Sequence, residues 1–172
     1  MEKPAVQIDK NRPSAEWIAR LRAQFPVERE IDRVLTRKMT RRAGPSFMPL
    51  QLETLVNGVQ ALITAHIGSD FSIHRARWLS GGASKLQMAF ELDWERPGVG
   101  RERTPMVLRM EPAESIVETS RLREFQLIRA MKGTVPVPPV FWCDSEGEYL
   151  PYPALIYGFA EGVAKPTQGQ AG

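Results

Sequence analysis

The sequence predicts an α+β domain, helical in its first third and strand-rich after it. Three observations carry this. Apolar residues recur at helical spacing up to Ile67, the period shortens to alternation from about Ser72, and Gly and Pro clusters cut the chain into pieces of strand and helix length.

Ser14 can cap a first helix whose opening N–H groups would otherwise be unpaired, with Glu16 favourably placed in its first turn. Trp17, Ile18, Leu21 and Phe25 form its apolar face, and Pro26 stops it. A second helix runs from about Val27 to Arg42, with Ile31, Val34, Leu35 and Met39 on one face. Gly44, Pro45 and Pro49 interrupt the chain, and Leu52, Leu55, Val56, Val59, Leu62, Ile63 and Ile67 then predict a third helix of about five turns. These three helices read as an extension over residues 1–70, packed on the strand-rich part or standing before it.

From Ser72 to Ser80 and from Lys85 to Trp94 the alternation predicts paired strands around a Gly81-Gly82 turn. Glu95 to Arg103, with Pro97, Gly98 and Gly100, reads as a loop before a buried strand from Met106 to Met110. A helix is expected to start at Pro112-Ala113-Glu114-Ser115, carry Ile116, Val117, Leu122, Phe125, Leu127 and Ile128, and close near Gly133. Val140–Cys143 and Ala154–Tyr157, joined through a turn at Asp144–Gly147, add two strands. Residues 71–164 thus read as three strands, one helix and two strands, and the Gly- and Gln-rich residues 165–172 as a ragged end.

Composition sets the outer bounds. The 172 residues, 42% apolar and 25% charged, are those of a soluble globular chain. A domain of roughly 150 residues buries about 68–70% of its unfolded surface, so a substantial core is attainable. Cys143 is the single cysteine, which excludes an internal disulfide and leaves no cysteine–histidine metal spacing. With no secretory apolar region and no run of membrane-spanning length, a cytoplasmic location is expected.

The net charge of +3 is unevenly placed. Residues 1–45 hold 11 Lys and Arg against 6 Asp and Glu, and the remainder holds 12 against 14. Arg33, Arg37, Lys38 and Arg41 concentrate this excess on the second helix. Such a helix can meet nucleic acid or an anionic membrane, or be a solvated face. No aromatic residues alternate with these arginines, and Glu28, Glu30 and Asp32 dilute the field, so nucleic acid is not the expected partner.

Several residues bear on chemistry. Ser80, Gly81, Gly82, Ala83 and Ser84 are small enough for backbone N–H donors to approach a phosphate closely, and Ser84 adds a hydroxyl; the same run also suits a plain tight hairpin. Neither G-x-x-x-x-G-K-[ST] nor G-x-G-x-x-G occurs. Asp93-Trp94-Glu95 has the look of a metal-binding Asp-x-Glu but falls at the end of a strand, so it is assigned no metal. His66 and His74 have no nucleophile or acid beside them in a catalytic arrangement.

Five segments taken together carry a resemblance. They are Arg77-Trp78-Leu79-Ser80-Gly81-Gly82-Ala83-Ser84-Lys85-Leu86, Met106-Val107-Leu108-Arg109-Met110, and Arg123-Glu124-Phe125-Gln126-Leu127-Ile128-Arg129-Ala130-Met131. Thr134-Val135-Pro136-Val137-Pro138-Pro139-Val140 and Ala154-Leu155-Ile156-Tyr157-Gly158-Phe159-Ala160-Glu161-Gly162 complete the set. In this order they resemble the nucleotide-binding lobe of the aminoglycoside phosphotransferase family, a branch of the kinase-like fold. The resemblance implies a five-stranded antiparallel sheet with a helix on one face. It makes Ser80–Ser84 a phosphate loop of the Gly-Gly-x-Ser-Asn type, with Lys85 in place of the Asn.

It also implies that Arg109 takes the role of the kinase strand lysine and Glu124 that of the helix glutamate which orients it, with Glu118 the runner-up. Tyr157 becomes the gatekeeper, and Gly158, Phe159 and Ala160 a hinge whose backbone meets adenine. The implied cofactor is ATP or GTP with Mg2+, and the implied acceptor a small-molecule hydroxyl. The catalytic lobe, with its His-Gly-Asp loop and metal ligands, would follow Gly172; no His-Gly-Asp lies within the 172 residues, so no catalytic or metal residue is assigned here. Two other readings stand beside this one. The first is a catalytically dead lobe that docks a protein partner, with a homodimer left open, and the second is a basic helical module over residues 10–45.

Overall fold

The computed structural model describes residues 9–42, 44, 49–79, 85–112 and 119–160. Helices α1 (Ala15–Gln24), α2 (Arg29–Arg41) and α3 (Leu52–Ile67) precede strands β1 (Phe71–Trp78), β2 (Leu86–Arg96) and β3 (Gly100–Met110). Helix α4 (Arg121–Met131) and strands β4 (Val140–Asp144) and β5 (Ala154–Gly158) come after them. The chain is α+β, with one five-stranded antiparallel sheet in the order β1-β2-β3-β5-β4.

The local signals that start the helices work as the chemistry requires. Ser14 Oγ accepts from the Trp17 N–H at 3.2 Å and opens α1. Glu28 caps α2 by accepting from the N–H groups of Glu30 and Ile31. Ser120 caps α4 by accepting from the Arg123 N–H, with Glu124 in the first turn. This last start lies later than the Pro112–Ser115 expected from sequence: among the described residues the helix begins at Arg121, and Ile116, Val117 and Glu118 fall outside them. The residue that decides the start is Ser120, whose hydroxyl accepts from the Arg123 N–H.

A second difference concerns residues 95–103. These do not form a loop: β2 continues to Arg96 and β3 resumes at Gly100, leaving a turn of Pro97, Gly98 and Val99 between them. Gly98 at φ 77° and Gly100 at φ 99° supply backbone that L side chains resist, and the Val99 N–H donates to the Arg96 carbonyl at 3.0 Å. The charges of this segment form cross-strand pairs near the hairpin end. Arg101 binds Asp93, Arg96 binds Glu102, and Arg103 reaches Asp93. Asp93 of the Asp-Trp-Glu motif is thus tied to arginines, while Trp94 is buried with its Nε1–H on Thr104 Oγ1 at 2.9 Å.

The two faces of the sheet differ in what covers them. Leu55, Val59, Leu62 and Ile63 of α3 share one core with Met88, Phe90, Leu92 and Trp94 of β2 and Met106, Leu108 and Met110 of β3. The core therefore runs across residue 70, and α3 is packed on the sheet rather than standing before it. Alternation along the strands turns Ala89, Val107 and Arg109 to the opposite face, where α4 packs against β4 and β5.

Gly58 is where α3 meets the loop after β4. A Cβ there would lie 2.8 Å from the Tyr149 carbonyl oxygen and 2.7 Å from Leu150 Cδ2. Gly58→Ala adds about 1 kcal/mol of helix propensity, against about 1–3 kcal/mol for overpacking. Because the nearer obstacle includes backbone, overpacking wins. The variant should unfold at lower urea than the parent; a raised midpoint would show that the loop yields.

Candidate functional site

The site is built where the end of β3 faces the first turn of α4. Arg109, on the sheet face that carries α4, donates from Nη1 to Glu124 Oε1, so the two residues paired from sequence do meet. Glu124 is held from a second side: its Oε2 lies 2.5 Å from Arg121 Nη1, three residues earlier on the same helix. Arg121 also reaches Glu111, with Nη2 2.7 Å from Oε2. The other oxygen of Glu111 accepts from Lys85 Nζ, and Thr119 Oγ1 donates to Oε2 at 3.2 Å. A network of alternating charge therefore runs Lys85–Glu111–Arg121–Glu124–Arg109.

Burial grades along this network. The Arg121 and Glu111 side chains are 1% and 2% exposed, whereas Glu124 and Arg109 are 20% and 30% exposed. The buried pair is the anchor and Arg109 is the end that solvent or a ligand reaches.

Tyr157 belongs to the same face. Arg109 is registered opposite Leu155, which sets Tyr157 one diagonal step away on β5. Burial raises the Tyr157 hydroxyl above its ordinary value of 10, with the Arg109 charge pulling the other way. Gly158 is explained by packing: its N–H donates to the Pro139 carbonyl at 2.7 Å, and a Cβ would lie 2.8 Å from Pro139 Cγ. The Phe159 N–H donates to the Pro105 carbonyl at 2.9 Å. The N–H groups of Gly158 and Phe159, expected from sequence to meet adenine, are thus both engaged within the chain. Phe159 also walls an open cleft of about 290 Å3 with Arg75, Arg77, Ala89 and Pro105. Ser80, Gly81, Gly82, Ala83 and Ser84, expected to form the phosphate loop, lie outside the described residues, as do Glu161 and Gly162.

Sequence reasoning missed Arg121 and Glu111. The signal was present: Glu111 stands two residues after Arg109, and Arg121 three before Glu124. These are the strand and helix periods that put each pair on one face.

The basic residues of α2 are engaged within the chain. Arg33 and Arg37 reach the Glu146 carboxylate, Arg37 donates to the Ser145 carbonyl at 2.7 Å, and Arg41 donates to the Glu146 carbonyl. On its other end α2 grips the start of α4: Ser120 Oγ donates to Glu30 Oε1 at 2.6 Å, and Arg123 pairs with Glu28 at 2.7 Å. Hydrogen bonds from Arg123 and from the Glu30 N–H draw the Glu28 carboxyl down to about 2, and those from Arg33 and Ser120 draw Glu30 to about 2. Both folded values lie below the ordinary 4.5, so the contribution to stability is present above about pH 4.5 and is lost as pH falls toward 2. Only Val34 of α2 is buried, so little else retains the helix. On acidification its amides should lose hydrogen-exchange protection before those of β2 and β3; simultaneous loss would contradict this.

Among the described residues no group of His, Cys, Asp and Glu could hold a metal, and no helix is long and apolar enough to cross a membrane. His74 Nε2 is hydrogen-bonded with Ser72 Oγ at 2.8 Å, and His66 lies exposed on α3. Burial, reinforced by Asp144, raises the Cys143 thiol to about 11, so it is no ready nucleophile. Compared with models of known families and with curated proteins, the chain matches none.

Proposed function

We propose that residues 71–164 form the nucleotide-gripping lobe of an ATP- or GTP-dependent phosphotransferase acting on a small-molecule hydroxyl. The observation that carries the reading is the Arg109–Glu124 pair between the third strand and the helix after it. Kinase-type phosphoryl transfer requires a strand cation on the phosphates and a helix carboxylate that orients it. Arginine keeps the charge and offers two parallel N–H donors to phosphate oxygens.

The arrangement along β3 supports the same reading. The cleft beside Phe159 and the Arg109 guanidinium share a sheet face. They are separated by the four residue steps from Pro105 to Arg109, about 13 Å at strand rise. A nucleotide lying along β3, with its base at Phe159 and its phosphates at Arg109, suits this spacing. Ser80–Ser84 would meet the phosphates, and Tyr157 would wall the middle. Transfer itself needs a base aspartate and Mg2+ ligands from a second lobe, and no residue of this chain takes those roles.

Titrating the chain with fluorescently labelled ATP or GTP in the presence of Mg2+ tests the reading. Saturable binding displaced by the unlabelled triphosphate, and not by the nucleoside, is expected. Absence of saturable binding up to about 1 mM, the upper end of ordinary substrate affinities, would end it.

A further inference from the structure

The network around Arg109 contains more than the pair that marks the site. Glu111 continues β3 by one residue, its N–H donating to the Pro153 carbonyl at 2.9 Å, so Arg109 and Glu111 lie on one strand face about 7 Å apart. Arg121 and Glu124 are neighbours on one helix face at about 5–6 Å. The matched spacings permit two rungs between strand and helix, Arg109–Glu124 and Glu111–Arg121. Their polarity is opposed: on the strand the cation comes first and then the anion, and on the helix likewise, so each rung joins unlike charges only when the elements run in opposite directions. Arg121 Nη1 against Glu124 Oε2 ties the rungs together.

We propose that Glu111 and Arg121 are positioning residues that fix the roll of α4, and through it the orientation of Glu124 and Arg109. A single ion pair between long side chains fixes a distance but lets a helix turn about its axis. Two rungs of opposed polarity allow one roll, because turning α4 to bring Arg121 toward Arg109 sets like charges together. The burial agrees: the inner rung is almost fully enclosed, and the outer one is open. A well-packed apolar pair would hold the helix against the sheet as well, and often better, so buried charge here serves specificity of orientation. Lys85 joins the lock through the second oxygen of Glu111. The consequence for phosphate binding rests on the function proposed above; the lock itself does not.

The test replaces the inner rung by hydrocarbon of similar size, in the double variant Glu111→Leu/Arg121→Met, and observes Arg109. Arg109 Nε is buried and makes no hydrogen bond, so its N–H exchange with water reports whether the side chain stays in place. With near-UV circular dichroism and cooperative unfolding retained, that exchange should become about tenfold faster or more, the scale of releasing one charge-assisted hydrogen bond. A folded double variant with unchanged exchange overturns the proposal. If the double variant does not fold, Glu111→Gln keeps the shape, weakens the rung and is read in the same way. Titration of the same samples with Mg2+ and labelled ATP separates the two claims. Parent binding that weakens in step with the faster exchange supports both. A parent that binds no nucleotide removes the function, and the exchange comparison still decides the lock.

Discussion

Arg121→Met should destabilise the chain by about 1.5–3 kcal/mol, because it removes the buried guanidinium from one oxygen of Glu111 while Lys85 keeps the other. The magnitude comes from exposure: the two side chains are 1% and 2% accessible, so water cannot replace the lost guanidinium. A solvent-exposed pair such as Arg22–Asp32, accessible at 49% and 28%, stands at the other end of the scale, near 0–1 kcal/mol. Glu111→Leu alone should be similarly damaging, since it takes the carboxylate from both Arg121 and Lys85, and Arg121 Nε already lacks a hydrogen-bond partner. Combining the two substitutions should recover part of the loss, because the Glu111–Arg121 pair is removed as a unit while Lys85 still loses the Glu111 carboxylate. Urea denaturation of the four proteins decides the matter. Single variants within about 1 kcal/mol of the parent would mean that water reaches this pair.

Asp144→Ala should cost about 3 kcal/mol, by removing the acceptor for three backbone donors. Asp144 is buried at the end of β4, and its carboxylate accepts from the N–H groups of Glu148, Tyr149 and Leu150 at 2.8, 3.0 and 3.0 Å. Glu148 and Tyr149 are exposed and can turn to water, but the Leu150 N–H is buried and cannot. The damage should spread in two directions. Leu150 packs in the core against α3, and the Ser145–Glu146 turn is what Arg33, Arg37 and Arg41 hold. Accelerated amide exchange in both α2 and the 145–150 turn is therefore expected; faster exchange in the turn alone would show that α2 is held by its contact with α4.

Much of this architecture was legible because its signals are local. The period of two in Lys85–Trp94 and the helical spacing from Leu52 to Ile67 report burial on one face, and burial is what the sheet and α3 share. The hairpin at 95–103 is hard to read because it alternates in charge rather than in apolar residues: Arg101 and Arg103 pair with Asp93, and Glu102 with Arg96, across the strands. The start of α4 was misread because Pro112-Ala113-Glu114-Ser115 carries as good a helix-opening pattern as Thr119-Ser120. Tertiary contacts of Ser120 and Arg123 with Glu30 and Glu28 support the later one.

The site divides in the same way. Arg109 and Glu124 could be named from their order along the chain. The residues that orient them show in the sequence only as strand and helix periods, and that Glu111 and Arg121 are partners emerges once β3 and α4 are laid side by side. The arginines of α2 show the same blindness: a run of positive charge has no visible destination until the Glu146 turn, more than a hundred residues on, is brought beneath it.

The central claim, that Arg109 is a phosphate-binding cation oriented by Glu124, is tested most directly by calorimetric titration of the parent, Arg109→Ala and Arg109→Lys with Mg2+ and ATP or GTP. Losing a charge-assisted contact of this kind is worth about 1.5–3 kcal/mol, so affinity should fall about 10- to 100-fold in Arg109→Ala. Arg109→Lys should fall between it and the parent. Equal affinity in all three proteins, each shown to be folded, would contradict the account.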